Sequence, residues 1–144
     1  MRTFEDSIDI AASAERVWEL TTDVESWPTL FPTVTAVERL DDGPIQIGSQ
    51  ARIKQPGQPA RVWTVSQATS PRTFVWTTRA KGFAMTATHE VATMPGDRVS
   101  NRLILEIDGP LAGVIALLVR RKLRRTLTIE NEGFRRAATR ADVP

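Results

Sequence analysis

Between residues 73 and 108, three segments of alternating polarity are joined by two short turns, and no other feature restricts the possible folds as strongly. If Lys81-Gly82 forms a two-residue turn, Ala80 lies opposite Phe83, Trp76 opposite Ala87 and Phe74 opposite His89. With the next tip at Pro95-Gly96-Asp97, His89 lies opposite Leu103 and Met85 opposite Ile107. One face then collects Phe74, Trp76, Phe83, Met85, Ala87, Val91, Leu103, Leu105 and Ile107, while the other collects Thr77, Arg79, Thr86, Thr88, Glu90, Arg102 and Glu106. Side chains alternate with a period of two, so this agreement predicts an antiparallel sheet with one apolar side.

The remaining segments fit around that sheet. Residues 3–10 alternate like a strand with one wet face. Ser13 is a good N-cap for a short helix carrying Val17, Trp18 and Leu20, with Glu15 in its first turn. That helix must end before Pro28, and Trp27–Pro32 reads as a constrained turn or one further helical turn, with Trp18 and Trp27 as packing residues. Strands are expected over residues 33–40, 49–55 and 61–67, separated by Asp41-Asp42-Gly43-Pro44 and Pro56-Gly57-Gln58-Pro59. In that second hairpin the spacing sets Ile53 opposite Val62, which turns Trp63 and Val65 to the other side unless a bulge corrects the register, so the facing of strand 61–67 stays open.

Gly109-Pro110 opens a helix predicted to run to about Arg140. Leu111, Ile115, Val119, Leu123, Leu127, Phe134 and Ala138 form one stripe, broken only by Asn131; Leu117 and Leu118 widen its apolar arc, and Gly133 is a candidate bend. Residues 141–144 are expected to fray. The predicted class is therefore α+β: a curved antiparallel sheet of about seven strands wrapped around a long C-terminal helix, with two short helices after the first strand, in a single domain over residues 1–144.

Several function classes are excluded by composition. There is no cysteine and only one histidine, so thiolate zinc sites, cysteine nucleophiles and paired imidazoles are out. Glu90, Glu106 and Asp108 fall on the outer face, so no metal site is expected. Neither a phosphate-cradling glycine loop nor a dinucleotide fingerprint occurs, and no cofactor is expected. The first ten residues lack the apolar run of a secretory signal, and no stretch of about 18 apolar residues occurs to span a membrane, so cytoplasm is the expected compartment.

Charge is unevenly spread. Residues 1–42 hold ten acids and three bases, whereas residues 120–144 hold eight bases and three acids. The densest run is Arg120, Arg121, Lys122, Arg124 and Arg125. It reads first as a solvated helix face, with peripheral contact to an anionic membrane as the sharper alternative. No zinc-finger, strand-platform or helix-turn-helix signal accompanies it, so no nucleic-acid partner is expected.

A family resemblance runs through the same segments. Ser13-Ala14-Glu15-Arg16-Val17-Trp18-Glu19-Leu20, Trp27-Pro28, Gly48 before a strand, Ser70-Pro71-Arg72-Thr73-Phe74-Val75-Trp76, Gly96-Asp97-Arg98-Val99 and Gly109-Pro110-Leu111-Ala112 occur in an order that resembles the START-like polyketide cyclase/dehydrase and lipid-transport proteins of the SRPBCC superfamily. The resemblance implies a helix-grip fold with a hydrophobic cavity between the sheet and the C-terminal helix. It implies ligands such as lipids, sterols, quinones or aromatic polyketides, with cyclisation or dehydration in some members. It carries no shared catalytic motif onto this chain.

Within that frame the candidate ligand-binding residues are Phe31, Trp63, Trp76, Phe83, Met85, His89, Asn101, Leu103, Leu105, Ile115 and Val119. Phe31 is placed at the entrance. Trp63, Trp76, Phe83 and Met85 either stack on a flat ligand or fill the core. His89 is either a neutral core histidine or a general acid/base whose pKa is lowered by desolvation. Asn101 either joins it in fixing a ligand oxygen or reaches solvent at a strand end. Three readings follow: a module that binds a hydrophobic small molecule, a cyclase or dehydratase that positions its substrate with His89 as acid/base, or a filled domain that acts through a protein partner.

Overall fold

The computed structural model describes residues 2–140. In chain order the elements are β1 (Arg2–Ile10), α1 (Ala14–Thr22), a single 3-10 turn (Val24–Ser26), α2 (Trp27–Leu30), β2 (Ala36–Arg39), β3 (Gln50–Lys54), β4 (Arg61–Thr69), β5 (Thr73–Ala80), β6 (Phe83–Met94), β7 (Arg98–Asp108) and α3 (Ala112–Thr139). All seven strands form one antiparallel sheet in the order β1-β7-β6-β5-β4-β3-β2. The predicted α+β helix-grip arrangement is the observed one. Residues 141–144, expected to fray, lie outside the described residues. No helix of the described chain is long and apolar enough to cross a membrane.

Local chemistry explains the element ends. The Ser13 hydroxyl accepts from the Arg16 amide at 3.1 Å and caps α1. The Trp27 indole donates to the Leu20 carbonyl at 3.1 Å, which ties α2 to the C-terminal end of α1. Gly82 takes φ +91° at the β5–β6 turn, a conformation open to glycine, and the Leu111 side chain covers it. The two short turns set the parity of β5, β6 and β7 as expected: Phe74 pairs with His89, His89 with Leu103, and Met85 with Ile107.

Three expectations need correction. Ile53 pairs with Arg61, not Val62, and Ala51 pairs with Trp63. This one-residue difference turns Trp63 and Val65 onto the same apolar face as Ile53, and all three are buried. The bulge in β4 lies further on, between Val65 and Gln67, against β5. The bend in α3 is at Val119, whose φ −120° and ψ 15° leave the helical region, and not at Gly133. Finally, Leu117 and Leu118 do not join the buried arc; they are 75% and 76% exposed.

Gly133 has a different role. A Cβ there would lie 2.6 Å from the Leu30 carbonyl oxygen and 2.6 Å from Phe31 Cδ1, so glycine lets α3 approach α2 closely. Gly133→Ala should therefore destabilise the fold by about 1–3 kcal/mol through forced displacement of packed groups. That outweighs the roughly 1 kcal/mol gain in helix propensity. Urea denaturation checks it, and a stabilised variant would refute the close approach.

The C-terminal half of α3 is fastened to the sheet by polar groups as well as apolar ones. Asn131 breaks the apolar stripe yet is fully buried. It accepts from Asn101 Nδ2 at 2.9 Å and donates to Asp6 Oδ2 at 2.7 Å and to the Asp6 carbonyl at 3.1 Å. The network joins α3, β7 and β1 and satisfies both polar ends of the Asn131 amide, leaving Asn101 Oδ1 buried without a partner. On the outer face Arg102 bridges Glu5 at 2.5 Å and Glu90 at 3.4 Å, an exposed arrangement of small energetic weight.

Candidate functional site

Between the concave face of the sheet and α3 lies a cavity of about 440 Å³. Its sheet wall carries Ile53, Trp63, Trp76, Phe83, Met85, Ala87, His89, Leu103, Leu105 and Ile107. The helix wall is Ile115, Val119, Leu123 and Leu127, with Trp27 and Val34 contributed by α2 and the segment after it. Ile115 and Leu123 are partly buried; they pack against the core and also line this space. The bend at Val119 falls within the helix wall.

Nine of the expected site residues thus come together: Trp63, Trp76, Phe83, Met85, His89, Leu103, Leu105, Ile115 and Val119. Two do not reach the wall. Phe31 is not at an entrance: it is 2% exposed, and its ring packs on Phe134 at 5.3 Å and Trp27 at 5.8 Å. Asn101 does face inward, where its Nδ2 donates to Asn131 Oδ1 at 2.9 Å while its own Oδ1 is buried without a partner.

His89 sits in a ring cluster. It is 5% exposed, with Trp27 at 5.6 Å, Phe74 at 5.7 Å and Phe134 at 5.9 Å between centroids. Its Nδ1 is buried without a hydrogen-bond partner. Removal from water disfavours the imidazolium and pulls the pKa down to about 4, so the ring is neutral near neutrality.

Three acidic or basic residues of the wall, besides its histidine, were not among the expected site residues: Arg61, Lys122 and Glu130. Arg61 was hidden by the register of β4; as the first residue of that strand, opposite Ile53, it shares the inward parity of Trp63 and Val65. Its guanidinium lies over the Phe83 ring at 5.2 Å, and Nε is buried without a partner. Lys122 reaches toward the β3–β4 turn, where a Cβ on Gly57 would be 4.0 Å from Nζ. Lys54 holds that turn by donating to the carbonyls of Gln55 at 2.8 Å and Gln58 at 2.5 Å.

Glu130 follows Leu123 and Leu127 along the same flank of α3, a spacing that signals its inward position. Its Oε2 accepts from the Thr33 hydroxyl at 2.9 Å. Desolvation pushes its pKa up to about 7, and the Thr33 bond offsets only part of that rise. The carboxyl is therefore both a hydrogen-bond donor and an acceptor near neutrality. Trp18, by contrast, lies outside the cavity wall, with its ring edge-on to Phe74 at 6.5 Å.

Known proteins share this architecture. The structure of the ZhuI aromatase/cyclase from Streptomyces sp. R1128 superposes with a TM-score of 0.72 at 21% identity, covering 99% of each chain. A START superfamily protein from Mycobacterium smegmatis gives a TM-score of 0.74 at 18% identity, covering 95% of this chain and 99% of that one. At such identities the likeness concerns the fold. A Streptomyces halstedii protein provisionally named a polyketide cyclase is 36% identical over 72 residues, which are 47% of this chain and 62% of that protein. The sequence as a whole matches the family described as polyketide cyclase / dehydrase and lipid transport over residues 1–139. The chain belongs to that family.

Proposed function

We propose that this protein binds a hydrophobic, ring-bearing small molecule in the cavity between the sheet and α3. The observation that carries the reading is the cavity of about 440 Å³ walled by Trp63, Trp76, Phe83 and Met85. A planar ligand gains offset stacking there as well as burial. Burying about 300 Å² of apolar ligand surface contributes on the order of 7 kcal/mol before association costs. Native mass spectrometry of freshly purified protein should show a hydrophobic molecule leaving on unfolding. Ala87→Phe, which fills the cavity from β6, should abolish that adduct. Wild type that neither carries a molecule nor takes up a pyrene-based probe would end the reading.

A second reading is catalytic, and one observation favours it: two proton-transfer groups in complementary states face the same cavity. Glu130 keeps its proton up to about pH 7 and His89 is a neutral base there. Positioning by the walls would supply proximity, Glu130 would protonate a carbonyl or departing hydroxyl, and His89 would accept a proton. On a linear poly-β-ketone substrate, Glu130→Gln should lower kcat by about 10²–10⁴-fold. Turnover should also decline in wild type as pH rises above about 7. Turnover that is insensitive to both Glu130→Gln and His89→Gln removes this chemistry and leaves binding.

The outer face of α3 supports access to a membrane-borne ligand. Val114, Leu117 and Leu118 are 56%, 75% and 76% exposed, and Arg121 and Arg125 continue their face at helical spacing. Arg120 and Arg124 flank it. Apolar side chains beside a basic cluster suit an anionic bilayer surface. Sedimentation with vesicles of phosphatidylserine and phosphatidylcholine should capture the protein, with loss in high salt or on Leu117→Ser with Leu118→Ser. Equal capture by phosphatidylcholine alone, or none by either, would overturn it.

A further inference from the structure

We infer that the molecule held in this cavity is an amphipathic anion, a carboxylate on an apolar body, with its charged end met by Arg61 and Lys122. The inference rests on the cavity-binding reading above and specifies the class of occupant. Arg61 is drawn inward by strand parity, as the neighbour across from Ile53 on a face otherwise occupied by Trp63 and Val65. A guanidinium placed beside apolar walls loses water and needs acceptors for its five N–H donors. The protein supplies none to Nε, which is buried and unpartnered. Phe83 beneath the guanidinium holds its plane without satisfying its edge.

Lys122 adds a second cation from the facing helix. Among the described residues neither cation has an ion pair with an acid. Among the described residues the one carboxyl in the cavity wall is that of Glu130, and it is largely neutral through mildly acidic pH. The wall is thus mostly apolar, with Arg61 from the sheet and the more exposed Lys122 from the helix as its two cations. A carboxylate matches the planar fork of Arg61 with two parallel hydrogen bonds, and Lys122 contributes as a point charge.

Paired probes separate charge from shape. 1-Pyrenebutyric acid and 1-pyrenebutanol share a ring and chain and differ in the terminal group. Their uptake is read at pH 6 by energy transfer from Trp63 and Trp76 to pyrene. The acid should bind wild type at least tenfold more tightly than the alcohol. Arg61→Met should erase that preference, Arg61→Lys should retain part of it, and Lys122→Met should reduce it less than Arg61→Met. Thermal melts of each variant confirm folding. Equal affinity of acid and alcohol for wild type would overturn this inference while leaving the cavity reading intact. An Arg61→Met variant that keeps the full preference would overturn it in the same way. Failure of both probes to bind would overturn the cavity reading and this inference together.

Discussion

Phe134→Ala should remove about 3–5 kcal/mol of stability, the range for deleting a fully buried aromatic ring from a packed core. Phe134 is 0% exposed and lies where three elements converge. Its ring meets Phe31 at 5.3 Å, His89 at 5.9 Å and Trp27 at 6.1 Å, each in an edge-on arrangement. Loss of the ring therefore leaves a void between α3, α2 and β6 that none of them can close alone. Gly133 next to it already brings the backbones to their closest approach, so collapse of the helix onto the void is blocked. Phe134→Leu, which retains most of the volume, should cost under half as much. Urea denaturation gives both values. Equal costs for the two variants would mean that ring packing does not hold α3 at this point. For a domain whose total stability is about 5–15 kcal/mol, the alanine variant should also lose much of its folded population on warming.

How much of this was readable beforehand depends on turn length. The β5–β6 and β6–β7 connections are so short that strand parity follows directly, and the sequence alone puts His89, Met85, Leu103 and Leu105 on the apolar side. The connection from Lys54 to Arg61 is longer and contains two prolines, so one residue of slack reverses every facing in β4. That slack concealed Arg61. Glu130 was concealed differently: its spacing after Leu123 and Leu127 points inward, but an acid on a helix this rich in charge reads as solvated. Asn131 carries a legible signal, since an amide on an apolar stripe needs a buried partner, and Asn101 is that partner. The exposure of Leu117 and Leu118 was not legible, because periodicity assigns an apolar arc without stating how much of it the sheet can cover.

The dependence of stability on pH should be nearly level between about pH 4.5 and 6.5 in wild type at these two sites, and steep in either single variant. His89 titrates at about 4 in the folded chain, below its ordinary value of 6.5. A base with a depressed folded pKa leaves the unfolded state to take the proton first as pH falls. Its contribution is intact above about 6.5 and is lost on descending through about 4, by roughly 3 kcal/mol in total. Glu130 has the opposite sign. Its folded pKa of about 7 lies above its ordinary value of 4.5, so the folded state keeps a proton that the unfolded state releases. Its contribution is intact below about 4.5 and is lost on rising through about 7, by about 2 kcal/mol once partial solvent access is allowed for. The two slopes oppose each other over the shared window. Glu130→Gln should therefore expose the histidine slope, with stability dropping as pH falls from 6.5 to 4. His89→Gln should expose the glutamate slope, with stability dropping as pH rises from 4.5 to 7. The double variant carries whatever the other carboxyls contribute and serves as the reference for both differences. Urea midpoints at half-unit pH steps measure all four proteins. If Glu130→Gln follows the double variant from pH 6.5 to 4, His89 is not held neutral by burial, and the aromatic cluster around it does not exclude water.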